Sequence, residues 1–276
     1  MVRRLSQREQ YFTTFFLRNR AELALMLRLL PRVEHDARVD IAVIGCSKGA
    51  EVYSIMWTIR TARPDLTPGI LGVDISPGVL VMAEQGRYSL ANNRADQPDA
   101  AAHGATKVGT QTGQIGWLFN GLSAEELRSL FDFADAEAII RSSLRQGVAW
   151  CQGDAGDPHL VDAVGQHDIV VANRFLCHMT PDVAERCLLN VARLVRSGGY
   201  LIVSGVDLDV RSAVARRMHW APVVDLNKEV HEGDATLREG WPTEYLGLEP
   251  IDDHRHDWTL RYAAAFQIYD RTPRAA

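Results

Sequence analysis

Five short apolar runs constrain this chain more than any other feature: VDIAVIG (39–45), GILGVDI (69–75), GVAWCQ (147–152), DIVVAN (168–173) and YLIVSGV (200–206). Most are rich in β-branched residues, and all are too short for a buried helix, so each reads as a strand covered on both faces. Helical patterns separate them. Gly49 to Ala62 places Val52, Ile55, Met56 and Ile59 on one face. Ser76-Pro77 supplies an N-cap and a first-turn proline for a helix that Gly86 ends. Thr180-Pro181 caps another, with Val183, Cys187, Leu188, Val191 and Leu194 on one side, and Ser197-Gly198-Gly199 stops it. Buried strands alternating with amphipathic helices predict an α/β, Rossmann-like, doubly wound and mostly parallel sheet. In TLRYAAAFQI (259–268), Leu260, Tyr262, Ala264, Phe266 and Ile268 alternate with their neighbours, which predicts an antiparallel last strand at or near the sheet edge.

Two stretches flank or interrupt this repeat. Residues 11–30 read as one or two amphipathic helices carrying Leu23, Met26, Leu27 and Leu30, and Pro31 breaks the pattern. The organisation expected is therefore an N-terminal helical segment over 1–38 and a main domain over 39–276, with insertions at about 89–146 and 211–258. Within the first, residues 89–121 are rich in Ala, Gly, Asn and Gln and read as a loop or a binding element. The second holds Trp220, Trp241, Tyr245 and Trp258, enough aromatic surface to pack as an ordered cap.

Composition excludes some function classes. A net charge of −5 over 276 residues argues against a nucleic-acid partner, which usually calls for a basic surplus. No apolar run reaches the roughly 18–20 residues that span a bilayer, and MVRRLSQREQ is not a signal peptide. Cys46, Cys151, Cys177 and Cys187 form no C-x-x-C pair, as expected of a reduced, cytoplasmic protein. His219, His231, His254 and His256 have no compact ligand spacing, so no metal site is expected.

The chemistry concentrates where strands end. Gly45-Cys46-Ser47-Lys48-Gly49-Ala50-Glu51 joins the first strand to the first helix, where glycines allow close backbone approach to a ligand and helix N–H groups face an anion. Asp74 closes the second strand, where a carboxylate can accept both ribose hydroxyls of an adenosine ligand. The alternative is that it caps the helix after Pro77, a role Ser76 already fills. The loop lacks full G-x-G-x-x-G spacing, which favours S-adenosylmethionine over a dinucleotide. Asp154, past the third strand, can accept from an adenine amino group, or it is a solvated turn residue of QGDAGDP. After the fourth strand, His178 is a candidate general base or a hydrogen-bonded wall. Arg174 can hold an anionic acceptor bidentately or pair with a structural carboxylate.

Taken in order, these pieces resemble the CheR family, the chemotaxis-type protein-glutamate methyltransferases, from about Tyr11 to Val206. YFTTFF is similar to that family's T-x-F-F-R segment, and GCSKGAEVYS to its G-C-S-x-G-E-E-x-Y-S loop. GVDISPGVLVMAEQGRYS, LSAEELRSLF, IIRSSLRQGVAWCQGDAGDP, DIVVANRFLCHM and LVRSGGYLIVSG follow its later landmarks. The resemblance implies a class I methyltransferase fold. It also implies a cofactor site at Thr13, Arg18, the loop residues Gly45, Cys46, Ser47, Gly49 and Glu51, Asp74-Ile75, Asp154-Ala155 and Asn173-Arg174. Four positions depart from the pattern. Ala50 replaces the first acid of the G-E-E triplet, so a contact to the methionine amino group is lost or re-made. Leu17 stands at the arginine of F-F-R, leaving Arg18 to substitute. Asn173-Arg174 inverts the family's R-N, and Asp154 replaces an asparagine.

The chemotaxis enzymes also carry a helical N-terminal domain with a basic face for the receptor, whereas this chain begins almost at the T-x-F-F-R segment. That difference and the 211–258 insertion point to a small-molecule acceptor (carboxylate, hydroxyl, amine or thioether) enclosed by the insertion. Protein-glutamate carboxyl methylation and a non-catalytic S-adenosylmethionine-binding module are the alternatives.

Overall fold

The computed structural model describes residues 14–31, 37–91, 117–233 and 249–269. Helix α1 (Arg20–Leu29) leads to β1 (Ala37–Ile44), α2 (Ala50–Ala62), β2 (Leu66–Asp74), α3 (Pro77–Gln85) and β3 (Arg87–Ser89). After a 3-10 turn at Trp117–Phe119 come α4 (Ala124–Leu130), β4 (Phe131–Ala134), β5 (Glu137–Ile140), α5 (Ser142–Arg145), β6 (Val148–Gln152) and α6 (Leu160–Val164). Then follow β7 (His167–Val171), a 3-10 turn at Leu176–His178, α7 (Pro181–Ala192), β8 (Val195–Ile202) and α8 (Leu208–Met218). The described elements end with β9 (Ala221–Pro222), α9 (Asn227–Glu232), α10 (Trp258–Arg261) and β10 (Ala265–Gln267).

The main sheet has the order β6-β2-β1-β7-β8-β10-β9. Strands β6, β2, β1, β7 and β8 run parallel, and β10 pairs antiparallel with both β8 and β9. From β1 the chain winds outward to β6, then returns to the other side of β1 as β7, so the order reverses between β1 and β7. Ligands of doubly wound sheets bind at the carboxyl ends of the strands beside that reversal.

The continuous apolar strands follow from cores on both faces. In β1, Ile41 and Val43 join one cluster with α1 and α2, while Ala42 and Ile44 join another with α7 and α8, as period-2 alternation requires. The insertion after α3 builds a second, antiparallel sheet of order β3-β5-β4. Its Tyr88, Phe131, Ala138 and Ile140 belong to the first of these clusters.

Several expectations are corrected. Residues 14–19 are non-helical, with a turn at 16–17, and the helix begins only at Arg20, capped by Asn19 accepting the Glu22 N–H. Ser76 and Thr180 occupy N-cap positions but make no side-chain capping bond; the proline at the helix start sets the entry geometry in both. Ser197-Gly198-Gly199 does not stop α7, which ends at Ala192; it lies inside β8, where the pairing with β7 is irregular and the Gly198 N–H donates to the Ile268 carbonyl. The alternating stretch 259–268 is a helical turn followed by a three-residue strand. Tyr262 through Phe266 are all buried in succession, because layers on both sides cover this segment. In the 211–258 stretch, 211–218 are part of α8, packed on α7, while α9 packs on α1. Trp241 and Tyr245 lie outside the described residues.

Candidate functional site

Leu17 takes a left-handed conformation (φ 51°), its side chain is buried, and its N–H donates to Ser54 Oγ at 2.9 Å. Ser54 in turn donates to the Ala50 carbonyl at 2.6 Å, so the segment before α1 is pinned to the first turn of α2. This bend turns Arg18 toward the carboxyl ends of β1 and β7, with its guanidinium over the Phe15 ring at 5.4 Å. Leu17 thus goes to the core and Arg18 to the cavity wall.

The loop after β1 is held by two N–H groups, Gly45 and Cys46, donating to the Val73 carbonyl at 2.8 and 3.1 Å. Asp74 sits beside it, only 6% exposed. One carboxylate oxygen accepts the Ser47 N–H at 2.8 Å and the other the Ser76 N–H at 2.9 Å. A carboxylate has about four acceptor sites, so acceptor capacity remains toward the cavity that Asp74 lines. Burial still outweighs these N–H bonds and raises its pKa above the ordinary 3.8. Cys46 is no nucleophile: burial, with Asp74 nearby, pushes its thiol far up. None of the four cysteines forms a disulfide.

Position 50 points into the core and position 51 into the cavity. The Ala50 departure therefore removes no acid from the site. Asn173 donates one Nδ2 to two carboxylates, Glu51 at 2.7 Å and Glu22 at 2.6 Å. Its amide oxygen accepts the Ser204 N–H at 2.9 Å and the Ser204 hydroxyl at 2.8 Å, which fixes the orientation of the amide. Glu51's pKa is raised by burial, against the lowering influence of Asn173, Arg18 and Arg174.

On the remaining wall, Asp154 accepts the Gly156 N–H at 2.7 Å within its own turn, next to Ala155. Arg174 has φ 61° and donates its N–H to the Ser204 carbonyl; a Cβ on Gly205 would stand 2.8 Å from its Cα. His178 is exposed at the rim. Together these residues bound an open cleft of about 1330 Å³, mouth included.

Of the residues singled out in the sequence, Arg18, Gly45, Cys46, Ser47, Glu51, Asp74, Ile75, Asp154, Ala155, Asn173, Arg174 and His178 share this wall. Thr13 lies outside the described residues. Gly49 is not on the wall; it starts α2 at φ 84° and faces Trp150 and Ala83. Nothing among the described residues of 211–258 borders the cleft, because α8 and α9 are engaged by α7 and α1. Sequence reasoning missed Thr14, Phe15, Asn19, Glu22, Phe175, Met179 and Ser204. For Glu22 a signal existed: Asn19 and Glu22 have N-cap-to-N3 spacing, which fixes the start and hence the face of α1.

Comparison with known proteins agrees with this geometry. A model described as CheR methyltransferase, SAM binding domain, matches residues 12–100, and a methyltransferase domain model matches 129–203. The chemotaxis protein methyltransferase of Vibrio parahaemolyticus is 27% identical over 187 residues, 65% of this chain and 58% of that protein. Over these spans the chain is similar to the CheR-type methyltransferases. Chemotaxis protein methyltransferase 1 of Vibrio cholerae is 26% identical over the same share of each chain. The chain spans less than two thirds of the length of these curated relatives. Among solved structures, the N-methyltransferase NodS of Bradyrhizobium japonicum, in complex with S-adenosylhomocysteine, is 13% identical over 75% of this chain and 78% of its own, with a TM-score of 0.39. No described helix is long and apolar enough to cross a membrane.

The matched CheR model is that of a domain that binds S-adenosylmethionine, and the donor set fits this cofactor. Asp74 offers acceptors to a diol, Ile75 and Ala155 offer apolar wall beside Asp154, and Glu51 offers a carboxylate to an ammonium group.

Proposed function

We propose that this CheR-type chain is a cytoplasmic S-adenosylmethionine-dependent methyltransferase acting on a small-molecule acceptor, with residues 39–276 as its catalytic domain and 1–38 as its N-terminal segment. Neither nucleic acid nor membrane enters this reading. The observation that carries it is the placement of Asp74: a buried carboxylate, fixed by two backbone N–H groups, at the end of β2 in the wall of the cleft beside the sheet reversal. In this reading Asp74 holds the ribose, Asp154 and Ala155 the adenine, and the Gly45–Glu51 loop with Asn173 the amino-acid end. When bound, the sulfonium supplies an already activated methyl group, so the chain's own contribution is alignment and exclusion of water. Phe15, Phe175 and Met179 give the cleft apolar walls that keep water out. Arg174 orients an anionic acceptor, and His178 at the rim takes the proton from a hydroxyl or amine; a carboxylate or thioether needs no base.

The names of the Vibrio relatives favour a second reading, methylation of a protein carboxylate. Two measurements decide. The purified chain should bind S-adenosylhomocysteine, and Asp74→Ala should weaken this by about 1–3 kcal/mol through the lost charged hydrogen bond; unchanged binding would remove Asp74 from the site. Incubation with methyl-labelled S-adenosylmethionine and a cell extract should place label in small metabolites. Label in base-labile protein esters would establish the second reading, and no turnover with any acceptor would leave a binding module.

A further inference from the structure

We infer that Asn19 is a positioning residue through which the 211–258 stretch sets one wall of the cleft without bordering it. The inference deepens the reading above, on which its ligand readout rests.

The argument begins with one amide and two helix ends. The first N–H groups and the last carbonyls of a helix have no partner inside it. Asn19 Oδ1 accepts the Glu22 N–H at 3.2 Å at the start of α1. Its Nδ2 donates to the Val230 carbonyl at 2.9 Å, near the end of α9. A single planar side chain thus caps the first turn of one helix and the last turn of another, 211 residues away in sequence. The positive end of one helix dipole there meets the negative end of the other. Burial sharpens the constraint: Asn19 is 8% exposed, so a broken bond would leave a polar group without water to replace its partner.

The end of α9 is shaped to this amide. Gly233 follows the helix, and a Cβ there would stand 2.8 Å from Asn19 Oδ1 and 2.7 Å from the Glu229 carbonyl. Its φ of −72° is open to any residue, so the space, not the backbone, calls for glycine. Behind the joint, Val230 shares a core cluster with Leu25 and Met26 of α1. In front of it, Asn19 lies on the cleft wall with Arg18 before it and Glu22 one turn after it. Glu22 in turn accepts from Asn173 at 2.6 Å. Movement of the α9 end would therefore pass through Asn19 into the start of α1 and reach the residues that meet Asn173.

The test titrates the full chain calorimetrically with S-adenosylhomocysteine and with 5′-methylthioadenosine, which lacks the amino-acid end that Asn173 faces in the reading above. Asn19→Ser keeps a helix cap of the same class, adds no charge and is too short to reach the Val230 carbonyl. It should weaken S-adenosylhomocysteine by about 5–30-fold and 5′-methylthioadenosine by less than about twofold. Gly233→Ala, outside the cleft wall, should produce the same split by pushing on Asn19 from α9. Should Asn19→Ser fail to fold, Gly233→Ala alone decides with the same two ligands. The double variant should lose far less than the product of the single losses, because both break one joint. A loss shared equally by the two ligands, or a lower melting temperature with both affinities unchanged, would show a cap that serves stability alone and overturn the inference. Single losses that multiply would overturn it too. Wild type that fails to bind S-adenosylhomocysteine would remove the proposed site and this inference with it, whereas binding by wild type with unaffected variants would remove only the inference.

Discussion

Glu51 sets folding against binding within one side chain. Burial holds its pKa above the ordinary 4.5, so the folded chain binds this proton more readily than the unfolded chain does. Its contribution to stability is therefore full below about pH 4.5 and is lost as pH rises through the raised folded value. Above that range the buried carboxylate costs stability. Glu51→Gln, whose amide oxygen can still accept from Asn173, should melt higher than wild type at pH 8, by about 2–4 °C for each kcal/mol recovered, and the gap should close toward pH 4. Its affinity for S-adenosylhomocysteine should fall at the same time. A variant melting at or below wild type at pH 8 would mean that Glu51 is compensated in the free protein after all. The two acids that accept from Asn173 were unequally legible. Glu51 announces itself by following a glycine-rich loop at a strand end. Glu22 reads as a surface residue of an amphipathic helix, and only the Leu17 bend and the packing of α1 on α2 turn it inward. The Ala50 departure looked damaging for the opposite reason: a loop motif does not say which of two adjacent residues faces the ligand, and the first turn of α2 gives position 50 to the core.

Elements were legible where one local rule decides and obscure where a neighbour overrides it. The five inner strands are covered on both faces, so their apolar runs identified them directly. Ser197-Gly198-Gly199 has the composition of a helix stop, but pairing with β7 and β10 draws it into β8. In 259–268 the period-2 pattern was real, yet Arg261 is held in a helical turn: its guanidinium binds Glu249 at 2.6 and 2.9 Å and Asp209 at 2.7 Å. Gly49 was read as a ligand contact, whereas its place in the fold assigns it to the start of α2. Two alanine substitutions separate the reasons for that glycine. Gly121→Ala has φ 78° and nothing within 4 Å of the new Cβ, so it should cost only the positive-φ strain of about 1–2 kcal/mol. Gly49→Ala adds contacts at 2.8 Å to Trp150 and 3.0 Å to Ala83, and should cost about 1–3 kcal/mol more. Denaturant titration of both measures the difference; equal losses would show that backbone conformation alone requires Gly49.

At the scale of the molecule, the insertion after α3 was legible as a departure from the repeat but not as a second sheet. Its strands FDFA and EAII are short, and the residues that complete their hydrophobic face lie far away in sequence. Phe131, 2% exposed, packs edge-on against Phe16 at 4.9 Å and Phe119 at 5.3 Å. Trp57 of α2 donates to Ser129 of α4 at 2.9 Å, and the Tyr88 hydroxyl donates to the Lys48 carbonyl in the loop after β1 at 2.7 Å. The small sheet thus shares the core under α2 and touches the loop that shapes the cleft. A subdomain with its own core would melt on its own; one that borrows this much of the parent core should not. Calorimetry should accordingly show one transition for the chain. Phe131→Ala, which opens a cavity at the junction, should move that whole transition downward by an amount equivalent to about 3–5 kcal/mol. It should also weaken S-adenosylhomocysteine binding, since Tyr88 loses its support beside Lys48. If the variant instead gains a separate early transition while the main peak and the ligand affinity stay where they were, then the small sheet is an independent attachment and the site owes it nothing.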